Sequence, residues 1–196
     1  MENKMNESLE KNGFIFIKNF LDKELCNFAK VYFKIKSDAM DYDIDHQCPL
    51  SKSWYGDPFT ETILLTSTPA LTEYTGLNLL PQYSYTRIYS KGEELVKHKD
   101  RGSCDFTATI CLGIPSNEEI NPLCIENKED EDNHYEFELE EGDLLIFTGT
   151  THEHWRPPLT NSWYLQTFIH YINGSEDKPT TLWDGRAGIG FPFFGK

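Results

Sequence analysis

The sequence is short of cations, of paired cysteines and of long apolar runs, and each shortage closes off a class of function. Lys and Arg number 18 against 32 Asp and Glu, a formal net charge of −14 over 196 residues. Such a surface repels phosphate backbones unless its few cations gather in one groove, so nucleic acid is a poor partner. No stretch approaches the roughly 18 consecutive apolar residues that span a bilayer. The opening from Met1 to Gly13 is charged with no apolar segment behind it, unlike a secretion signal. A soluble, unprocessed cytoplasmic chain without a membrane partner is the expectation. Cys26, Cys48, Cys104, Cys111 and Cys124 are odd in number and show no CxxC spacing, which argues against a disulfide framework and against a thiolate zinc cluster. As small hydrophobes, free thiols fit a reducing compartment. No internal repeat and no linker divides the chain, and its length suits one domain.

What the sequence does have is core material. Hydrophobic residues make up 38%, with 13 Phe, 10 Tyr and 4 Trp, enough to exclude wholesale disorder. Gly13 to Ile17 is a short aromatic and β-branched run that reads as a buried strand. A helix follows over about Lys23 to Ala39, with Asp22 as N-cap and an apolar stripe of Leu25, Phe28, Ala29 and Tyr32. Asp41 to Trp54 has no period and reads as a loop. Asp57-Pro58 and Thr68-Pro69 each set a capping side chain before a proline, which predicts two short helices, the second closed by Gly76.

From there the pattern turns to strands: Tyr83 to Tyr89, Glu94 to His98, Asp105 to Ile114, Leu123 to Glu126, Tyr135 to Leu139, Leu144 to Phe147 and Trp163 to Ile172. Many short strands with turn signals between them predict a sandwich or barrel. The acidic run 129–132 reads as a solvated hairpin tip. The Gly-rich end carries Phe191, Phe193 and Phe194, which are expected to dock on the body.

His98-Lys99-Asp100 is the most informative segment, because residues two apart on a strand point to one side and can share a metal ion. His152-Glu153-His154 follows the Leu144–Phe147 strand and offers a third ligand. Two histidines and a carboxylate on one face leave open positions on iron(II). An isolated HxD is a weak signal; its setting strengthens it. Tyr85-Thr86-Arg87-Ile88-Tyr89 and the Gly92 turn precede the pair, Thr107-Ala108-Thr109-Ile110-Cys111-Leu112 follows, and Glu141-Gly142-Asp143-Leu144-Leu145-Ile146-Phe147 leads to the second histidine cluster.

In this order and spacing the chain resembles the iron(II)- and 2-oxoglutarate-dependent oxygenases, in particular their prolyl 4-hydroxylase-like branch, over about residues 13–172. The resemblance implies a mixed, mainly β fold: a distorted double-stranded β-helix of the jelly-roll or cupin kind, with N-terminal helices packed on one sheet. The segment 173–196 would dock on that core. It further implies Fe(II) held by His98, Asp100 and His154, with 2-oxoglutarate and dioxygen as cosubstrates. His152, two residues earlier, competes for the third position. His46, His134 and His170 lack partners at ligand spacing and read as structural or surface residues, although His170 could line the pocket.

One departure matters. Related enzymes usually hold the far carboxylate of 2-oxoglutarate with a Lys or Arg about ten residues beyond the distal His. Here Trp163, Tyr164 and Leu165 stand there, and no cation occurs between Arg156 and Lys178. Arg87 is the first candidate to replace it and Arg156 the second, with Tyr89 and Gln166 as neutral donors. The resemblance suggests a small-molecule or peptide substrate, such as a prolyl residue, free proline or another amino acid, hydroxylated with release of succinate and carbon dioxide. Trp54, Trp155 and Trp163 could form an apolar rim. A cupin-like metal-binding isomerase or sugar-binding module using His98, His152 and His154, and a metal-free β-sandwich interaction domain, are the competing readings.

Overall fold

The computed structural model of the protein describes residues 8–130, 132–175 and 182–191. Among the described residues, ten strands form two antiparallel sheets. The larger contains β1 (Phe14–Ile17), β2 (Lys52–Tyr55), β3 (Leu79–Ser90), β5 (Phe106–Gly113), β8 (Leu144–Phe147) and β10 (Trp163–Asn173), in the order β1-β8-β5-β10-β3-β2. The smaller contains β4 (Leu95–His98), β6 (Leu123–Glu126), β7 (His134–Phe137) and β9 (His154–Arg156), in the order β4-β9-β6-β7. The two face each other as a double-stranded β-helix. Helices α1 (Lys23–Asp38) and α2 (Pro58–Thr75) cover the outer face of the larger sheet.

This layering explains the sequence pattern. β5 and β10 lie inside the larger sheet with apolar matter on both faces, so β5 is buried at every position and shows no alternation. One face, with Ala108, Ile110, Leu165 and Ile169, joins Ala29, Phe33, Leu64 and Leu71 of the helices in the outer core. The other, with Cys111 and Tyr164, joins Leu123 and Ile125 of the smaller sheet in the inner core. Full burial of a Leu, Ile or Phe side chain contributes about 1.5–3 kcal/mol, and these two layers hold most of the large apolar residues.

The turn Gly142-Asp143 ties the sheet to its edge. Gly142 has φ +91°, and a Cβ there would lie 2.3 Å from the Leu21 carbonyl oxygen, so only glycine fits. Asp143, buried, accepts hydrogen bonds from the backbone N–H of Asn19 (2.9 Å) and of Glu140 (3.2 Å), fixing where β1 exits.

Three sequence expectations need correction. Helix α1 is capped by Asp22 as expected, its carboxylate accepting from the Leu25 N–H at 2.7 Å, but its buried stripe is Cys26, Ala29, Phe33 and Ser37. Phe28 is exposed, because the shared sheet surface meets the helix one position round from the most apolar face. The two expected short helices are one, with Asp57 as N-cap, Gly76 as left-handed C-cap and Pro69 inside. Thr68 does not cap; its hydroxyl donates back to the Leu64 carbonyl at 2.8 Å. Packing of Leu64, Ser67 and Leu71 carries the helix past a residue that would break an isolated one. The expected loop over 41–54 ends in β2, which pairs with β3 as an edge strand.

Near the C-terminus, Leu182–Gly185 forms a turn in which Trp183 and Asp184 take left-handed φ of 55° and 57°. Arg186 is buried against Glu61 of α2 at 2.6 Å and donates to the Gln82 carbonyl of β3 at 2.9 Å. Phe191 is exposed, and Phe193 and Phe194 lie outside the described residues.

Candidate metal centre

β4 and β9 are hydrogen-bonded neighbours, and their register sets His98 directly opposite His154. The chain leaves β4 at once into Asp100, whose N–H donates to the Gly149 carbonyl at 2.9 Å. Three residues spread over 56 positions of sequence thus meet: the imidazole and carboxylate ligand atoms of His98, Asp100 and His154 all lie within 4.8 Å of one another. His154 Nε2 is 3.6 Å and His98 Nε2 4.0 Å from the same oxygen, Asp100 Oδ1.

The hydrogen bonds behind the cluster orient it. His98 Nδ1 faces the Val96 carbonyl at 2.8 Å and His154 Nδ1 faces the His152 carbonyl at 3.1 Å. A carbonyl can only accept, so each ring carries its proton on Nδ1 and turns the Nε2 lone pair toward Asp100. Burial, countered by Asp100 and reinforced by His98, holds His154 below the ordinary histidine range and therefore neutral, the form that binds metals. Asp100 Oδ2 is engaged by the Thr107 hydroxyl, which leaves Oδ1 free. Gly149 makes room for this: a Cβ on it would stand 2.1 Å from Asp100 Oδ2.

His152 turns away. Its Nδ1 bonds the hydroxyls of Thr148 (2.6 Å) and Thr151 (3.2 Å), and its ring packs so closely on Gly13 that a Cβ there would overlap it. The structure therefore gathers His98, Asp100 and His154, and leaves His152 in the bend before β9, packed on Gly13.

The triad opens on a cavity of about 750 Å³ between the sheets. Tyr55, Tyr83, Tyr85 and Phe168 give it aromatic walls, and Asp45, Lys99 and Arg101 bring charge to it. His170 lines it as well: its Nδ1 bonds Thr107 Oγ1 at 3.0 Å and its ring stacks on Tyr83 at 4.3 Å. Burial pushes the His170 pKa down to about 4, so the ring is neutral at physiological pH. None of Trp54, Trp155 and Trp163 lines the cavity. Trp54 packs on Phe33, Trp163 against the helix-side core, and Trp155 on the outer face of the smaller sheet beside His134.

Among the residues considered for cosubstrate binding, Arg87 lines the cavity, while Tyr89, Arg156 and Gln166 lie fully buried beneath it. Arg87 is paired with Asp45 at 2.6 Å and donates to the Tyr89 hydroxyl at 3.1 Å. Arg156 shares the inward face of β9 with His154. Its guanidinium reaches the Gln166 side-chain oxygen at 2.8 Å and the Asn121 carbonyl at 2.5 Å, and lies on the ring of Tyr164 at 4.4 Å. Among the described residues it has no carboxylate partner, and its Nε, like that of Arg87, has no hydrogen-bond acceptor.

Sequence reasoning missed several contributors. Thr107 and Gly149 sit inside the recognised strand and turn, but nothing in their identity announces contact with Asp100. Asp45 lies in a stretch without period, where no signal marks it as the partner of Arg87.

Compared with protein-family models and with curated protein sequences, the chain matches none. Its fold is nonetheless that of the 2-oxoglutarate- and iron(II)-dependent oxygenases, as solved structures show. A prolyl-4-hydroxylase from Pseudomonas putida superposes with a TM-score of 0.74 at 14% identity, over 88% of this chain and 99% of that one. A prolyl hydroxylase from Trichoplax adhaerens, solved with a hypoxia inducible factor peptide fragment, gives 0.72 at 14% identity, over 89% and 90%. HygX from Streptomyces hygroscopicus, solved with nickel and 2-oxoglutarate, gives 0.66 at 13%, over 89% and 88%. At these identities the likeness is one of fold.

Proposed function

We propose that the protein is an iron(II)- and 2-oxoglutarate-dependent oxygenase that hydroxylates an unactivated C–H bond of an amino acid, a prolyl residue or free proline among them. The observation that carries this reading is the convergence of two Nε2 lone pairs and one carboxylate oxygen at the floor of a cavity, each aimed by a hydrogen bond on its other side. The donor set fits iron(II), since two imidazoles and a monodentate carboxylate leave positions for a chelating cosubstrate and a gas. When bound, iron would supply the site at which dioxygen is reduced by 2-oxoglutarate and the substrate together, with succinate and carbon dioxide as by-products.

The chain's own residues do the rest. Thr107 holds Asp100 through Oδ2, so only Oδ1 is presented, and His170 donates to the Thr107 oxygen and keeps that hydroxyl pointed at the carboxylate. Tyr55, Tyr83, Tyr85 and Phe168 exclude water and give flat faces on which an aliphatic ring can lie. For the far carboxylate of the cosubstrate we assign Arg156 ahead of Arg87. A buried guanidinium without a countercharge is costly and is relieved by an anion, whereas Asp45 already neutralises Arg87. Tyr89, between the two arginines, and Gln166 complete that end.

Purified protein is expected to release succinate from 2-oxoglutarate only with iron present, and His98→Ala or Asp100→Ala should abolish it while His152→Ala does not. Turnover that survives both ligand changes would refute the assignment. A cupin-like protein without oxygenase activity is distinguished by 2-oxoglutarate affinity: the metal-loaded protein would bind none.

A further inference from the structure

The smaller sheet has a second face, turned away from the cavity, and it too gathers metal-binding groups. Along β9, Trp155 takes the opposite face from His154 and Arg156; along β6, Cys124, though itself fully buried, takes the opposite face from Leu123 and Ile125 of the inner core. β7 pairs with β6 so that Glu136 stands opposite Cys124 and His134 opposite Glu126. The thiol of Cys124, an imidazole nitrogen of His134 and a carboxylate oxygen of Glu136 consequently lie within 4.8 Å of one another. His134 Nε2 is already 3.0 Å from Glu136 Oε1, and the imidazole lies beside the indole of Trp155 at 5.1 Å.

We infer that Cys124, His134 and Glu136 form a second metal site, for a thiophilic divalent cation of the zinc type, separate from the iron triad and on the opposite face of its sheet. The donor set is the reason. One thiolate, one imidazole and one carboxylate match zinc, and the absence of CxxC spacing, which excludes a multi-thiolate cluster, does not bear on a site with a single sulfur. With zinc–sulfur bonds of about 2.3 Å and zinc–nitrogen or –oxygen bonds of about 2.0–2.1 Å, tetrahedral ligand atoms stand about 3.3–3.6 Å apart. The present spacing requires small side-chain rotations only, on two rigidly paired strands. Charge agrees as well: a thiolate and a carboxylate balance a divalent ion, in a chain of net charge −14. Burial, with Glu136 adding to it, pushes the Cys124 thiol up to about 11, so the cation is what ionises this sulfur. With three protein ligands the fourth position stays open. The site would clasp the β6–β7 hairpin, whose tip carries the acidic run.

The test uses the full chain with Asp100→Ala, which removes the carboxylate of the iron triad. Titration with cobalt(II) under reducing, oxygen-free conditions should fill one site and give a thiolate-to-cobalt charge-transfer band, which the all-nitrogen-and-oxygen iron triad cannot produce; zinc should displace it. Adding Cys124→Ser should remove the band. Adding His134→Ala or Glu136→Gln, both exposed and safe for folding, should weaken cobalt binding at least tenfold. A folded Asp100→Ala protein that shows no thiolate band, a band that persists with Cys124→Ser, or unchanged affinity in the two exposed variants would each overturn the assignment. Because the readout is spectroscopic and independent of turnover, its outcome is separable from that of the oxygenase reading.

Discussion

Gly149→Ala isolates the positioning of one ligand from everything else the site does. The φ of Gly149 lies outside the left-handed region, so alanine meets no backbone penalty and would, by restricting the unfolded chain, change stability by only about 0.4–1 kcal/mol in its favour. The new methyl, however, would sit 2.1 Å from Asp100 Oδ2 and 2.9 Å from both Asp100 Cγ and Thr107 Oγ1. Real Cβ contacts do not fall under 3.0 Å, so the carboxylate must retreat by about 0.9 Å at least. A functional constellation tolerates displacements of about 0.5 Å, and about 1 Å of misplacement costs on the order of 100-fold in rate. The retreat also breaks the Thr107 bond that reserves Oδ2. The expected result is a folded protein with a modestly lowered thermal midpoint, weakened iron affinity, and succinate release reduced by roughly two orders of magnitude. Iron binding by calorimetry and succinate by a coupled assay would be compared on the same preparation. Wild-type iron affinity and turnover in a folded Gly149→Ala protein would show that Asp100 is not held where the chemistry needs it.

Arg156→Met should weaken 2-oxoglutarate binding about 10- to 100-fold by calorimetry, the worth of charge-assisted hydrogen bonds of about 1.5–3 kcal/mol, while Arg87→Met should cost less; the reverse order would move the anchor to Arg87. Asp143→Ala strands the Asn19 and Glu140 N–H groups and should lower unfolding free energy by about 2–4 kcal/mol, read as a shifted urea midpoint at constant slope. For the metal-free protein, His170 is neutral when folded down to about pH 4, whereas the unfolded chain takes up that proton near 6.5. Stability attributable to this ring is therefore complete above pH 6.5 and lost on acidification toward pH 4, by up to about 3 kcal/mol. Urea midpoints at pH 7 and pH 4.5 should converge in His170→Gln; equal acid sensitivity in both proteins would contradict the assignment.

The β core and the triad were legible because their signals are local. HxD needs only strand periodicity to share a face, and Asp22, Asp57, Gly76 and Gly142 act within a turn of their own position. What escaped was decided across space. Pro69 reads as a helix start in any window around it, and only the packing of Leu64 and Leu71 on the sheet overrides that. The stripe on α1 is displaced because the sheet, not the helix, chooses which face it covers. The cosubstrate end shows the same limit: a search along β10 for a cation finds none, whereas the Arg156 side chain reaches from β9 to Gln166 on β10. Asp45 and Gly149 owe their roles to neighbours 42 and 49 residues away, which no spacing rule reports.

The Arg186–Glu61 clasp reaches further than the helix it grips. Asp184, two residues before it, accepts from the Tyr55 hydroxyl at 2.6 Å and pairs with Arg101 at 2.5 Å, and both of those partners border the cavity. The turn at Leu182–Gly185 thus braces one wall of the cavity without touching His98, Asp100 or His154. Trimming the protein ahead of Leu182 would leave His98, Asp100 and His154 seated, yet loosen the cavity wall that Tyr55 and Arg101 form. On the oxygenase reading proposed above, such a trimmed protein should lose selectivity before it loses the capacity to consume cosubstrate.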